Sequence, residues 1–142
     1  MYQIGDSNTS TLTAGGSGAV TSSDFDYSAT GNSNVLTWLQ GSSSTATSGN
    51  QDFVITGNTN NTNIRCETIG CINNWNIDGN TNDIDVTQIG TDDKSITFTL
   101  TGDSNNIDID QTTAASGVTD TIVLTAVSTS GTINLDQCTS GC

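Results

Sequence analysis

The sequence predicts an all-β fold, a single-domain β-solenoid over residues 1–142. It is expected to have about six two-strand turns of 22–26 residues each, with strands stacked in register. Three observations predict it. A Gly-Asp/Asn-Ser/Thr-Asn tetrad recurs at near-constant spacing, apolar residues hold fixed offsets on both sides of each tetrad, and there is no proline.

The tetrads begin at Gly5, Gly31, Gly57, Gly79 and Gly102, in steps of 26, 26, 22 and 23 residues. The sixth unit is marked by Ser128, where the tetrad is degenerate but the flanking pattern persists. Repeats of this length are the mark of stacked supersecondary units, which work through their surfaces and ends more often than through one pocket. Corners of a tight coil need positive φ, which glycine adopts freely and asparagine better than most residues. The asparagines are therefore expected to sit at the corners and bond nearby backbone.

The strand after each tetrad comes next. At plus five, seven and nine from the marker stand Leu36, Trp38 and Gln40, then Ile84, Val86 and Gln88, then Ile107, Ile109 and Gln111, then Ile133, Leu135 and Gln137. The first unit (Ser10, Leu12, Ala14) and the third (Thr62, Ile64, Cys66) follow the same phase more weakly. The strand before each tetrad is read at minus six, four and two. It gives Phe25, Tyr27 and Ala29, then Gln51, Phe53 and Ile55, then Asn73, Trp75 and Ile77, then Ile96, Phe98 and Leu100, then Ile122, Leu124 and Ala126. A spacing of two is the period of a strand with one buried face. Thr, Asn, Asp and Ser between these positions form the wet face.

One such unit cannot bury its apolar side alone. Stacking gives each strand two neighbours and joins the inward residues into a thin core. About two dozen apolar side chains, at roughly 1.5–3 kcal/mol each, then offset the ordering of the chain. An antiparallel sandwich also has short strands at close spacing. The phase-locked offsets favour the solenoid, of either hand. The Ser/Thr/Asn/Gly richness by itself would suggest disorder, and the periodic Ile, Leu, Val, Phe and Trp argue against it. Inward Gln40, Gln88, Gln111 and Gln137 are expected to form an amide ladder, since stacked amides satisfy one another.

Composition limits the function. Net charge is −13, with 15 acidic residues, two basic ones and no histidine. Nucleic-acid binding is disfavoured, because only Arg65 and Lys94 could meet phosphates. No apolar run is long enough for a membrane span. Met1 leads directly into Tyr2-Gln3-Ile4-Gly5, so no leader is expected within this sequence; either it was removed or export takes another route. The cysteines fall into two close pairs, Cys66 with Cys71 and Cys138 with Cys142. Two local disulfides are favoured over free thiols in a reducing compartment. Zinc is disfavoured by the distance between the pairs and the lack of histidine.

No nucleophilic triad is supported without histidine. Paired carboxylates occur at Asp92 and Asp93, Asp83 and Asp85, and Asp108 and Asp110. At plus four, six and eight, Asp83, Asp85, Asp108, Asp110 and Asp136 share one outward face, whereas a glycosidase needs carboxylates across a groove. A solvated acidic stripe that keeps the protein soluble is the favoured reading, and no cofactor is expected. The alternative is Ca²⁺ bridging the carboxylates of successive turns. Thr97, Thr99 and Thr101 form one Thr-x-Thr row of the kind that binds ice, but neighbouring units do not repeat it. Trp38 and Trp75 could stack on sugars, yet both are in the inward phase.

Gln3-Ile4-Gly5-Asp6-Ser7-Asn8, Asn34 through Gln40, Asn82-Asp83-Ile84-Asp85-Val86-Thr87-Gln88 and Asn105-Asn106-Ile107-Asp108-Ile109-Asp110-Gln111 share a Gln-x-Gly-x-x-Asn-x-(apolar)-x-(apolar)-x-Gln pattern. This resembles the curlin repeat of bacterial amyloid fibres over nearly the whole chain. The Gln before the tetrad is replaced by Ala29, Ile55, Ile77 and Leu100 in later units. The resemblance implies a β-solenoid subunit that adds end to end into an extracellular fibre. The chain is also expected to open and close half a turn out, so that the ends would complete each other. The partner is then another copy of the chain. The alternative is a virion or cell-surface appendage that recognises a host glycan or receptor through irregular loops, at Ala14 to Ser23 and Gly41 to Gly49.

Overall fold

The computed structural model describes residues 1–14, 21–41, 47–67, 71–91, 94–113 and 119–139. Twelve strands run through them: β1 (Tyr2–Ile4), β2 (Thr9–Ala14), β3 (Thr21–Thr30), β4 (Val35–Gln40), β5 (Thr47–Thr56), β6 (Asn61–Glu67), β7 (Cys71–Asp78), β8 (Asp83–Gly90), β9 (Ser95–Thr101), β10 (Asn105–Thr113), β11 (Thr121–Val127) and β12 (Gly131–Thr139). Odd-numbered strands form one six-stranded parallel sheet in the order β1-β3-β5-β7-β9-β11. Even-numbered strands form the other, β12-β10-β8-β6-β4-β2. The fold is a β-solenoid, each coil giving one strand to each sheet. Four inner coils, β3–β4 to β9–β10, are stacked on both sides; β1–β2 and β11–β12 are the end coils.

Registers follow the tetrad phase. Leu36 lies beside Ser10 and Thr62, and Ile84 beside Thr62 and Ile107. In the other sheet Phe53 lies beside Tyr27 and Trp75, and Phe98 beside Trp75 and Leu124. A one-residue slip would turn every inward side chain outward, so the buried face fixes the register.

The core lies between the sheets. Leu36, Phe53, Ile55, Ile64, Ile77, Ile84, Ile96, Phe98, Leu100, Ile107 and Ile109 are all but fully buried. Aromatic rings stack along one column of it: Phe53 on Trp75 with centroids 4.2 Å apart, and Trp75 on Phe98 at 5.6 Å. Phe25 lies flat on Trp38 at 3.9 Å, so both tryptophans are core residues.

Two expectations are corrected here. The positive φ in each tetrad falls on glycine and on the Ser/Thr, not on asparagine: Ser7, Ser33, Thr59, Thr81 and Ser104 all lie at φ 58–62°. The asparagines are committed to bonds between coils, which demand another orientation. Nor are the ends offset by half a coil. Both sheets carry six strands, and only β1, three residues against ten in β3, is short.

Candidate functional site

The corners carry the most ordered chemistry in the molecule. In each tetrad the second residue accepts a hydrogen bond from the equivalent main-chain N–H of the following coil. Asn32 N–H donates to Asp6 Oδ1, Asn58 to Asn32, Asn80 to Asn58, Asp103 to Asn80 and Thr129 to Asp103, at 2.5–2.8 Å. The fourth residue does the reverse, accepting from the preceding coil. Asn8 N–H donates to Asn34 Oδ1, Asn34 to Asn60, Asn60 to Asn82 and Asn82 to Asn105, at 2.7–3.1 Å. Two ladders of opposite polarity thus flank the five tetrad corners. The inner one is buried at Asn34, Asn60, Asn82 and Asn105. Sequence reasoning placed asparagine at the corners but missed that the fourth position continues the inward phase of plus five, seven and nine.

The ladders stop at the sixth corner. Ser128 replaces glycine, Thr129 brings no carboxamide, and Gly131 stands where Asn105 stands one coil earlier. A cavity of about 240 Å³ opens at this end, lined in part by Leu100, Asn105, Ala126 and Ile133.

The glutamine column forms only in part. Gln111 Nε2 donates to Gln88 Oε1 at 2.9 Å, both fully buried. Between Gln40 and Gln88, however, the column holds Cys66. Gln40 instead accepts from Gln51 across the core. Gln137 is in register with Gln111 but exposed, because among the described residues no coil covers β12. Asn73, also fully buried, has no partner for either side-chain polar atom among the described residues.

Beyond the glutamines the core end near the loops is polar. Cys66 and Cys71 form a disulfide linking β6 to β7, with Cα atoms 6.5 Å apart. Cys138 is disulfide-bonded, and Cys142 lies outside the described residues. Lys94 is 1% exposed, so it does not stand where it could meet phosphates. Its Nζ donates to Thr113 Oγ1 at 2.7 Å, and Thr113 donates to Asp120 Oδ2 at 2.5 Å. Arg65 is on the surface and pairs with Glu67.

The acidic face is more varied than a stripe of stacked carboxylates. Asp83 accepts from Asn61 at 3.2 Å and Asn106 at 2.7 Å, Asp85 from Asn63 at 3.4 Å, and Asp108 from Asn134 at 3.1 Å. On this face carboxylates are in direct register at Asp85 with Asp108 and Asp110 with Asp136, and in the other sheet Asp26 is level with Asp52. Partial burial, then the charges of Asp83 and Asp108, hold the Asp85 carboxyl above the usual range. Burial, then Asp108 and Asp136, does the same for Asp110. No cluster of three or more metal-ligating side chains is present among the described residues. Asp92, Asp93 and most of the two candidate binding loops, at 15–20 and 42–46, lie outside the described residues. Among the described residues no helix is long and apolar enough to cross a membrane.

No family model, curated protein or solved structure matches this chain.

Proposed function

We propose that this chain is a structural, non-enzymatic subunit that stacks head to tail into an extracellular fibre of the curli type. The observation that carries the reading is the uncapped state of both end coils. Among the described residues, β1–β2 and β11–β12 each leave one edge of both sheets unpaired. Rows of unpaired main-chain groups are templates for strand addition. Apolar side chains remain exposed on the last coil, with Ile133 at 36% and Leu135 at 44% although both hold inward positions. A second copy placed on this edge would bury them as Ile109 is buried within the stack. Such a contact joins different surfaces, so it repeats without closing and yields a filament. The disulfide fits an oxidising compartment.

Negative-stain electron microscopy of the purified full chain, over a range of concentrations, tests the reading. Unbranched filaments are expected. A monodisperse monomer at the highest concentration would overturn it.

A further inference from the structure

On the outer face of the odd-numbered sheet, one column runs Ile4, Thr30, Thr56, Asp78, Thr101, Val127. Only its two ends are apolar, and each is 69% exposed. Tyr2, 67% exposed, stands beside Ile4 on β1, while Val123, 50% exposed, lies on β11. Among the described residues, nothing covers these large apolar side chains at opposite ends of one column. They become neighbours when the first coil of one copy follows the last coil of another.

Charge is arranged to allow that contact. Of 15 acidic residues, Asp6 is the only one within residues 1–14 and Asp136 the only one within 121–139. In the register that links coils inside the chain, Thr9, Thr11 and Thr13 would face Thr132, Asn134 and Asp136. No carboxylate would then face another, unlike the internal stacks at Asp85–Asp108 and Asp110–Asp136. For a chain of net charge −13 this junction therefore adds no face-to-face repulsion between carboxylates.

The corner sets polarity as well. Every fourth-position Oδ1 faces the preceding coil, so Asn8 Oδ1 faces out of the β1–β2 end, while the β11–β12 end carries Gly131 and no carboxamide there. Joining two β1–β2 ends would oppose two acceptors and run the strands antiparallel.

We infer that the junction between copies keeps the internal register, with Ile4 of one copy stacked on Val127 of the next. The inference rests on the fibre reading and specifies its contact. The cavity at the β11–β12 end would be roofed by Gln3, which falls over Ala126, and by Ser10, which falls over Ile133.

The test is directed cross-linking in the full chain. Residues level on adjacent parallel strands lie about 4.8 Å apart, within disulfide reach. Within one subunit positions 4 and 127 are roughly 24 Å apart, five strand spacings, so they cannot join intramolecularly. The double variant Ile4→Cys, Val127→Cys is compared with Ile4→Cys, Val123→Cys, after the unmodified chain has been imaged. Both substitutions fall on exposed side chains, so folding is not at stake. The expected result is filaments from the unmodified chain, and a non-reducing ladder of multimers from the 4/127 pair alone. Filaments with a ladder from the 4/123 pair, or from neither, would overturn the register and leave the fibre reading standing. No filaments from the unmodified chain would overturn both.

Discussion

Gly57 packs against Gly31 so closely that a Cβ on Gly57 would stand 2.1 Å from the Gly31 carbonyl oxygen. Gly79 and Gly102 have the same relation to the glycine one coil back, at 1.9 and 2.1 Å. Each also has φ between 129 and 152°. Gly57→Ala therefore combines backbone strain with a main-chain collision, and is expected to cost about 3 kcal/mol or more. Gly5 shares the positive φ, but a Cβ there meets nothing closer than Asn8 Nδ2 at 3.9 Å. Gly5→Ala should cost only the strain, about 1–2 kcal/mol. Urea denaturation of the two variants measures the difference, and equal losses would refute the packing explanation.

The inner corner ladder makes a second prediction. Asn60 Oδ1 accepts from Asn34 N–H, and Asn60 Nδ2 donates to Asn82 Oδ1 at 3.1 Å. Asn60→Ala strands a buried N–H and should cost about 1–3 kcal/mol. The outer ladder is exposed, so Asn58→Ala should cost less, since water replaces the lost acceptor. Thermal melts of the pair check the order.

How much of this was legible in sequence follows from what a period of two records. It separates inward from outward positions, so the strands, their register and the burial of Trp38 and Trp75 could be read directly. It does not record which way an amide points. The opposed ladders, and the positive φ of Thr59 and Thr81, emerge only when coils are stacked. Lys94 could have been found: it lies eight residues before Gly102, in the same inward phase as Ile96, and its charge masked that position. The glutamine ladder is broken because Cys66 takes the slot between Gln40 and Gln88. Gln137 is exposed despite its inward phase, because that phase gives burial only where another coil covers the strand.

Acidity should stabilise the fold down to a point. The Asp85 and Asp110 carboxyls are raised, so each binds its proton more tightly folded than unfolded. Their destabilising effect is complete above their folded pKa and absent below the unfolded value. Stability should therefore rise as pH falls through their raised folded values toward the ordinary carboxylate value of about 4. Asp103 runs the other way, because the Thr129 N–H lowers it. Its contribution is present above the ordinary carboxylate pKa and is lost as pH falls through its lowered value, so stability should decline again below about 4. Asp85→Asn with Asp110→Asn should raise Tm at pH 7 and flatten that rise. A wild-type Tm that falls steadily from pH 7 downward would contradict this.

Lys94 anchors the polar end of the core through Thr113 and Asp120. Lys94→Met keeps most of the volume but removes the donor to a buried hydroxyl, and should cost about 1–3 kcal/mol. Thr113→Val, which removes the hydroxyl between the charges, should also destabilise. The double variant should lose less than the sum of the two, as expected for coupled partners. Strict additivity in a double-mutant cycle would show that the two side chains do not act together.

The central claim is that whole subunits continue the solenoid into one another. Helical reconstruction of the filament from cryo-electron micrographs measures this directly. Six coils at about 4.8 Å each predict an axial rise of roughly 29 Å per subunit, with no break in strand spacing at the junction. A rise set by some other number of coils, a gap between the end coils, or a preparation containing only monomers would contradict it.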